Sequence, residues 1–380
     1  MSALMAGTAT CAGCLRRSWL LAALAPHIDL IWKQRQPLRD VLALDDAALV
    51  DALGGAQRPQ LHARHAAFDV AAALRACTRA EVEPVCVHDQ RFPARLRTGP
   101  GAPHLLHVAG GLGRLGALVG AGATEADAPP AVAVVGTRRA SPEGLEMALS
   151  LGRGLAQAGV TVVSGMALGI DSAAHDGALE GGGATVAILA GAAEIAYPRS
   201  KAALHQRLLA RACVVSELPP GFEPFRWCFP ARNRIIAGLA QLTVVVEGAE
   251  RSGSLITADF ASALGREVAA VPGRAASPRT RGSNGLIRDG AAVILGVDDV
   301  LDAVLGFDRA VGGPRIAQAE GGLEPGLAEL LAAVADGSDT VAALARTPAQ
   351  ADAALLGLVE LEGQGLLRRV GGGRYVVVAG

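Results

Sequence analysis

Hydrophobic positions change their spacing along the chain, and the changes predict its organisation. From about residue 16 to residue 80, apolar side chains recur at helical spacing, as at Leu38, Val41 and Leu42, which predicts a small bundle of helices. Two short apolar runs, 82–87 and 105–108, then predict strands on either side of a turn region marked by prolines. The pattern therefore places a helical segment before the first strands of a sheet.

From residue 131 onward, continuous apolar runs of strand length alternate with segments of helical length. Runs without polar alternation predict strands that are buried on both faces. The six runs are 131–135, 160–163, 185–189, 213–216, 242–246 and 268–271. The predicted fold class is therefore α/β, with an extended, mostly parallel sheet that carries helices on both faces.

Beyond residue 306 the pattern loosens, and paired glycines on either side of Pro314 predict a linker. The remaining residues predict three helices and a β-hairpin, which together make a winged helix. The predicted domains are a helical N-terminal domain (1–80), the sheet domain (81–305), a linker (306–322) and a winged-helix domain (323–380).

Residues 109–130 are rich in glycine and alanine and are interpreted as a loose insertion in the sheet domain. The insertion contains Gly111, Gly113 and Gly116 in the GxGxxG spacing of a dinucleotide-binding fingerprint. That fingerprint must open a full helix, whereas Gly120 and the following prolines are expected to break one here. Chance explains the match better than dinucleotide binding, and no cofactor is predicted.

Composition supports a folded chain without a bulk attraction for nucleic acid. The 380 residues are 51% hydrophobic and 19% charged, which supplies a sizeable core, and 35 basic residues against 36 acidic ones give a net charge of −1. A local patch must therefore meet any anionic partner. Arg16-Arg17 and the apolar residues after them resemble an export signal, but Pro26 and Asp29 end that run early, so a cytoplasmic protein without a membrane segment is expected.

Six scattered cysteines fit a reducing compartment, and only Cys11 and Cys14 have the spacing of metal ligands. A zinc site completed by Cys77 and Cys86 is an alternative, but the spacing of that second pair does not match a zinc motif. No metal is predicted.

Small and polar residues follow the strands of the predicted sheet. Ligands of open parallel sheets bind beyond the carboxyl ends of the strands, where backbone N–H groups and helix N-termini face one pocket. The candidates for this pocket are Gly136, Thr137, Arg138, Ser164, Gly165, Arg199, Lys201, Ser252, Gly253 and Ser254. Small residues beside cations suit a phosphate. Singly, each residue is also explained by a turn or a helix cap.

Residues 222–234 interleave four aromatic side chains with three arginines and include the run Arg232, Asn233 and Arg234. Bases stack on aromatic faces and phosphates pair with cations, so the segment is typical of a site for an unpaired nucleic-acid strand. In the alternative interpretation, the rings only plug the end of the sheet. A second basic stretch, 274–288, is either a solvated loop or a continuation of the same track.

Asp171 and His175 lie one helical turn apart, so a metal pair or an acid–base dyad is conceivable for them. No third ligand follows at a fixed spacing and no GxSxG motif is present. A helix-capping aspartate beside a packed histidine explains the pair better.

In order along the chain, these motifs resemble the DNA-processing protein A (DprA/Smf) family. The resemblance rests on RFPARL (91–96), VAVVGTR (132–138), VSGMALGID (163–171), Tyr197-Pro198, Ser216-Glu217, ARNRIIAGL (231–239), SGSLIT (252–257), Val271-Pro-Gly273 and GSNGLI (282–287). It implies a Rossmann-like domain that binds and protects incoming single-stranded DNA, forms a homodimer and loads the RecA recombinase during natural transformation. It also implies that Arg138 and either Lys201 or Arg199 line the DNA pocket. A SAM-like or helix-hairpin-helix-like domain in front and a winged helix behind complete the expected architecture.

The main alternative is an enzyme, a Rossmann-like hydrolase of nucleoside monophosphates. Such enzymes have a loop with a paired glutamate and an arginine. In this chain, by contrast, Glu217 and Glu247 follow different strands. We interpret both glutamates as partners that fix Arg232 or Arg234, and we expect no catalysis. A third alternative, a transcriptional regulator, would be based on the winged helix alone. That domain has few cations, so strong binding to duplex DNA is not supported.

Overall fold

The computed structural model describes residues 10–99, 101–120, 124–306, 323–335, 338, 340–345, 347–364, 366–370 and 374–377. The chain divides into two compact units, Met1–Leu305 and Gly306–Gly380, which are described separately below. Apart from Gly306, the predicted linker lies outside the described residues. The N-terminal helices belong to the same compact unit as the sheet.

The chain begins with six helices, as its apolar spacing predicts. They are α1 (Ala12–Ala23), α2 (Ala25–Lys33), α3 (Leu38–Ala43), α4 (Asp46–Leu53), α5 (Arg58–Ala66) and α6 (Val70–Arg79). Short polar side chains start two of them, since Asp45 accepts a hydrogen bond from the backbone of Ala48 and Asp69 accepts one from Ala72. Leu20, Leu24 and Ile28 are fully buried in a cluster that also contains Trp227 of the later chain. The N-terminal helices therefore share a core with the sheet unit.

The larger unit is built on a nine-stranded sheet with the order β1-β2-β6-β5-β4-β3-β7-β8-β9. Its strands are β1 (Val82–Cys86), β2 (Leu105–Ala109), β3 (Ala131–Val135), β4 (Thr161–Ser164), β5 (Thr185–Ile188), β6 (Cys213–Ser216), β7 (Leu242–Val245), β8 (Glu267–Ala270) and β9 (Ala292–Val293). The β1–β2 and β2–β6 pairs are antiparallel, and all other pairs are parallel. The predicted α/β class with a mostly parallel sheet is confirmed.

Helices cover both faces of this sheet. They are α7 (Leu112–Val119), α8 (Pro142–Gln157), α9 (Ile170–Glu180), α10 (Ala202–Arg211), α11 (Cys228–Leu239), α12 (Gly253–Ala263), α13 (Arg281–Arg288) and α14 (Val297–Leu305). Alternate residues of β3 show why its sequence is continuously apolar. Val132 and Val134 pack in one cluster with α8 and α9, whereas Ala133 and Val135 pack in another with α11 and α12.

The interpretation of residues 109–130 as a loose insertion is wrong for its first half. Helix α7 occupies 112–119, with Leu112, Leu115 and Val119 buried in the core. Gly111 and Gly120 both have positive φ and bound this helix at its two ends, so they cap it rather than break it. The Gly111–Gly116 fingerprint thus does open a short helix, but residues 121–123 lie outside the described part of the chain.

The smaller unit contains α15 (Pro325–Ala335), α16 (Val341–Leu344) and α17 (Pro348–Gly363), followed by the antiparallel pair β10 (Leu367–Val370) and β11 (Arg374–Val377). Thr340 and Thr347 cap the second and third of these helices through their hydroxyl groups. Leu331, Leu358, Leu361 and Tyr375 form its core. The predicted elements of three helices and a hairpin are present in this order, and the predicted turn at 371–373 lies outside the described residues.

Across the parts of the chain that the structure describes, no helix combines the length and the apolar character needed to cross a bilayer.

Candidate nucleic-acid interface

The loops after β3, β4, β5, β6, β7 and β8 share one edge of the sheet, because these six strands are adjacent and parallel. The residues that the sequence places after each strand therefore lie along a common rim. Their exposure and hydrogen bonds divide them into two groups, an exposed one and a buried one.

Arg138 belongs to the exposed group. It follows β3 in a loop that is held from below, since Thr137 donates its backbone N–H to the carbonyl of Glu247 at 2.7 Å and accepts one from Ile170 at 3.3 Å. The Arg138 guanidinium lies over the ring of Phe229, 5.2 Å from its centroid. A cation at this distance from a ring face is attracted by the ring quadrupole. The fixed loop and the ring together hold a charged side chain in the solvent.

Phe229 in turn contacts Tyr197, with ring centroids 5.4 Å apart and planes tilted by 51°. Tyr197 is 44% exposed and follows β5, whereas Phe229 is half-buried in the first turn of α11. We call Arg138, Tyr197 and Phe229 the cation–aromatic patch. It brings together residues from three separate segments of the chain.

The predicted cations Arg199 and Lys201 lie in a short 3₁₀ turn directly after Tyr197-Pro198, whose peptide bond is cis. Arg199 is exposed and Lys201 is half-buried. Within the described residues, neither they nor Arg138 take part in any ion pair. Their charges are therefore available to an anion.

The rings of residues 222–229 divide between the two interpretations that the sequence left open. Trp227 is 1% exposed and fills the core beneath the N-terminal helices, so it plugs the end of the sheet. Phe225 is 37% exposed and contacts Phe222, with ring centroids 6.1 Å apart. Phe225 is exposed and Phe222 and Phe229 are half-buried, so these three are the rings of the segment that a base can reach.

Arg232 belongs to the buried group. One of its terminal nitrogens donates to the carbonyl of Gly165 at 2.5 Å and also to the carbonyl of Ile188. Burial lowers the pKa of Arg232 to about 10, against the opposing attraction of Asp171, whose Oδ2 lies 3.7 Å from the guanidinium. A Cβ on residue 165 would collide with this guanidinium, so a larger residue there would have to displace Arg232 from its two carbonyl partners. Arg232 ties the ends of β4 and β5 to α11.

Arg234 is held by a bidentate ion pair. Nη2 of Arg234 donates to both carboxylate oxygens of Glu217, at 2.6 and 2.7 Å; Arg234 is buried and Glu217 is half-buried. This matches the expected pairing of Glu217 with an arginine.

The same expectation is wrong for Glu247. Its carboxylate accepts hydrogen bonds from the backbone N–H and the hydroxyl of Ser141, each at 2.9 Å. The reason is topological, because β7 pairs with β3 and the residue after β7 therefore faces the start of α8. A carboxylate there also suits the helix N-terminus.

The remaining candidates bond mainly within the protein. Ser164 is fully buried and donates its hydroxyl to the carbonyl of Val134 at 2.7 Å. Asn233 donates its amide to the carbonyl of Gly253 at 3.1 Å, and Ser252 accepts the backbone N–H of Ser254 to cap α12. Gly136 packs against Ile170, where a Cβ would collide with that side chain. These residues shape the rim, and a direct role for them in binding DNA remains a prediction.

Asp171 and His175 do not bond to each other. Since the Thr185 hydroxyl donates to the carbonyl of Val162 at 2.7 Å, it must accept from Nδ1 of His175, also at 2.7 Å. Burial, with a smaller effect of Arg232, lowers the pKa of His175 to about 3 and keeps the ring neutral. Burial raises the pKa of Asp171, which lies beside Arg232. The histidine is packed, as the sequence suggested.

The second basic stretch reaches the same rim. Helix α13 begins beside the loop after β7, because the backbone N–H groups of Gly282 and Ser283 both donate to the carbonyl of Gly248. The side chain of Asn284 clamps Gly273 through two hydrogen bonds, at 2.9 and 3.0 Å. All four arginines of this basic stretch are exposed: Arg274, Arg279, Arg281 and Arg288.

Tyr197 was absent from the sequence-based site, and Phe229 entered it only as one of the four aromatic side chains of residues 222–234. The available signal was compositional, since aromatic residues make up 3% of the chain and only two are tyrosines. A tyrosine in the segment after a strand, as at Tyr197, is unusual in such a chain. Only the structure shows that it meets a ring and an arginine.

Comparison with known proteins decides the family. The model of the family described as DNA recombination-mediator protein A matches residues 83–305. The chain belongs to this family. The match spans the whole nine-stranded sheet except the first residue of β1.

Relatives of known sequence agree with this assignment. The chain is 48% identical over 177 residues to a putative DNA processing protein DprA of Mycobacterium tuberculosis, covering 47% of this chain and 46% of that protein. It is 32% identical over 318 residues to protein Smf of Synechocystis, covering 76% of this chain and 78% of that protein. The chain thus matches about half the length of the mycobacterial relative.

Two solved structures are similar. DprA from Streptococcus pneumoniae superposes with a TM-score of 0.60 at 31% identity, covering 77% of this chain and 96% of that one. DNA processing protein A from Helicobacter pylori, whose structure concerns its single-stranded DNA binding mode, superposes with a TM-score of 0.51 at 25% identity, covering 60% of this chain and 97% of that one.

Proposed function

We propose that this protein binds single-stranded DNA along the carboxyl edge of its sheet. The observation that carries the proposal is the cation–aromatic patch, in which the half-buried Phe229 contacts both Arg138, which has no ion pair among the described residues, and the exposed Tyr197. Stacking on rings suits bases that are not paired, and cations beside the rings suit the phosphates between them. A duplex hides its base faces and cannot use the rings.

The two groups of residues have different parts in this proposal. Arg138, Arg199 and Lys201 contact phosphate, and Phe225, Phe229 and Tyr197 offer surfaces to bases. Arg232, Asn233 and Arg234 act from below, because their polar groups are engaged by protein partners. The arginines of α13 extend the basic track beyond the patch.

Family membership supports a wider role. We propose that the protein is a cytoplasmic homodimer that protects incoming DNA and loads the RecA recombinase on it during natural transformation. The division at residue 80, a SAM-like or helix-hairpin-helix-like character for the N-terminal helices and a winged-helix identity for the smaller unit belong to the same proposal. They draw support from the order of helices and strands and from the family's DNA-related names.

We propose that binding involves no catalytic turnover. A nucleotide hydrolase at this rim needs a free carboxylate as base or nucleophile. Glu217 is bound by Arg234 on both oxygens, and Glu247 accepts two hydrogen bonds from Ser141. Both carboxylates thus hold the rim, and Glu247, whose second oxygen has no hydrogen-bond partner among the described residues, is buried away from a substrate.

Fluorescence anisotropy with matched single-stranded and duplex oligonucleotides, across a salt series, tests the binding proposal. Tighter binding of the single strand is expected, with an affinity that falls as salt rises because counterions are released from the phosphates. Equal affinity for a duplex of the same length would contradict the proposal. Base release from nucleoside monophosphates that is lost in Glu217→Gln or Glu247→Gln would favour the hydrolase instead.

A further inference from the structure

Four metal-binding side chains meet at the junction of the N-terminal helices and the edge of the sheet, away from the DNA rim. Cys11 and Cys14 lie at the start of α1, and Cys86 and His88 lie at and just after the end of β1. One ligand atom from each residue falls within 4.8 Å of all the others. We call this group the Cys₃His cluster. Within the described residues, it is the one group of three or more such side chains brought this close.

The distances in the cluster are those of a metal site. Nδ1 of His88 lies 3.5 Å from Sγ of Cys11, 3.5 Å from Sγ of Cys14 and 4.0 Å from Sγ of Cys86. A tetrahedral zinc ion about 2.3 Å from each sulfur and about 2.1 Å from nitrogen separates sulfur and nitrogen by about 3.6 Å. The side chains are therefore placed around one centre without any rearrangement of the backbone.

The surrounding backbone supports the same arrangement. The backbone N–H of Cys14 points to Sγ of Cys11 at 3.4 Å, as it does when the turn between two cysteine ligands stabilises a thiolate. On the other side, the backbone N–H of Asp89 donates to the carbonyl of Cys86 at 2.8 Å, which closes a turn that brings His88 back over Cys86. The hydroxyl of Thr10 donates to the carbonyl of Pro84 at 2.7 Å and holds the two segments side by side.

We propose that Cys11, Cys14, Cys86 and His88 bind one zinc ion, as a structural site that joins the first helix to the edge strand. Three sulfur ligands and one imidazole nitrogen make a closed tetrahedral set that is typical of structural zinc and leaves no position for substrate. Cys14 and Cys86 are buried beside Leu15 and Leu105, so the ion lies at the margin of a small apolar core. The site pins two segments that are 72 residues apart in the sequence (from Cys14 to Cys86).

This site differs from the one that the cysteine spacing suggested. Cys77 packs instead in another apolar cluster with Val82, Leu204 and Leu208. His88 takes the fourth position, which a search restricted to cysteine pairs does not find. The sequence signature is Cys-x-x-Cys followed much later by Cys-x-His.

Metal analysis of the purified full-length chain tests the proposal. Expression in zinc-supplemented medium should give about one zinc per chain, and the metal-free protein should take up one Co²⁺ with the charge-transfer and d–d bands of a tetrahedral thiolate site. Zinc below about a tenth of an equivalent together with no cobalt bands would overturn the proposal. So would a disulfide among Cys11, Cys14 and Cys86 in protein purified under reducing conditions.

Variants locate the ion. His88→Ala changes an exposed residue and should fold, yet its zinc should dissociate at least tenfold more readily to a chromogenic chelator. His88→Cys should restore binding and shift the cobalt bands toward those of four sulfurs. Cys77→Ala is the matched control, since it removes a buried cysteine outside the cluster and should leave the zinc content unchanged. Full retention of zinc in both His88→Ala and Cys14→Ala would overturn the assignment of ligands.

Discussion

Two sets of arginines at one edge of the sheet differ in almost every physical respect. Arg138 is exposed, lies over the ring of Phe229 and has no ion pair among the described residues. Arg234 is buried and bonds to both oxygens of the Glu217 carboxylate. Arg232 donates hydrogen bonds to two backbone carbonyls. The difference shows that arginines of neighbouring motifs can have different roles, since one set is exposed to solvent and the other is bonded inside the protein. In the proposed function, the exposed set contacts the DNA, and the buried set forms the wall of the site behind it.

The origin of the difference is what covers each segment. Arg138 lies in an exposed loop, where only one face of its guanidinium is placed against a ring. Helix α11, which carries Arg232 and Arg234, is packed against the sheet on one side and against the N-terminal helices near Trp227 on the other. A buried guanidinium must then find partners inside the protein, because its desolvation is otherwise too costly.

The largest expected effect is on stability, from breaking the buried pair. Glu217→Ala leaves the Arg234 guanidinium buried without its carboxylate, which should lower the free energy of unfolding by about 3–5 kcal/mol. Urea unfolding followed by tryptophan fluorescence measures it, since Trp19, Trp32 and Trp227 all belong to the larger unit. The control is Glu180→Ala, which breaks the exposed pair with Arg153 and should cost at most about 1 kcal/mol. Equal losses in the two variants would erase the distinction between the sets.

The next effect is on binding. Arg138→Ala should weaken single-stranded DNA binding by about 5- to 150-fold, the equivalent of one charge-assisted phosphate contact of about 1–3 kcal/mol. Its unfolding midpoint should stay unchanged, since no ion pair or core contact is lost. Anisotropy titrations of Arg138→Ala beside Arg139→Ala, an exposed neighbour, check this. A similar loss for both arginines would mean that only general charge matters and that the ring contact does not.

The sheet unit also contains buried neutral histidines, which make the stability of the folded protein sensitive to pH. Burial holds the pKa of His175 at about 3 and that of His107 at about 4, so the unfolded chain takes up protons below about pH 6.5 while the folded chain does not. Stability should therefore fall as the pH drops from 6.5 to 5, by about 1.4 kcal/mol per pH unit for each histidine. His175→Gln should reduce this slope by about one histidine's share. An unchanged slope would remove His175 as a source.

The smallest effect should come from the far end of the exposed set. Lys201→Ala is expected to weaken binding by less than about tenfold, because a half-buried lysine offers a single flexible contact rather than a fixed fork. Arg199→Ala, two residues away, decides which of the two cations serves the pocket. A larger loss for Arg199→Ala would move the predicted register of this basic residue by two positions.

The strands could be predicted from the sequence because burial on both faces leaves a continuous apolar signature, as in β3 and β7. Helix α7 was missed because the glycines that cap it were interpreted as breakers. The burial of Arg232 and Arg234 could not be predicted, since it follows from the packing of α11, whose first residues share a core cluster with Leu20 and Leu24, about two hundred residues earlier in the chain. The contacts of Phe229 with Arg138 and Tyr197 likewise form only when the first turn of α11 meets two loops.

Phe229 lies in the first turn of the helix that carries Arg232 and Arg234, and this shared helix has a consequence for the entropy of binding. The helix is anchored to the ends of β4 and β5 through Arg232 and to the residue after β6 through Arg234. The ring of Phe229 is therefore held in place before the proposed binding of single-stranded DNA, and this helix loses little conformational freedom on association. The ordering that does occur falls on the DNA. Affinity should accordingly depend on the flexibility of the oligonucleotide, and base sequences that stack strongly on themselves should bind less well than flexible ones.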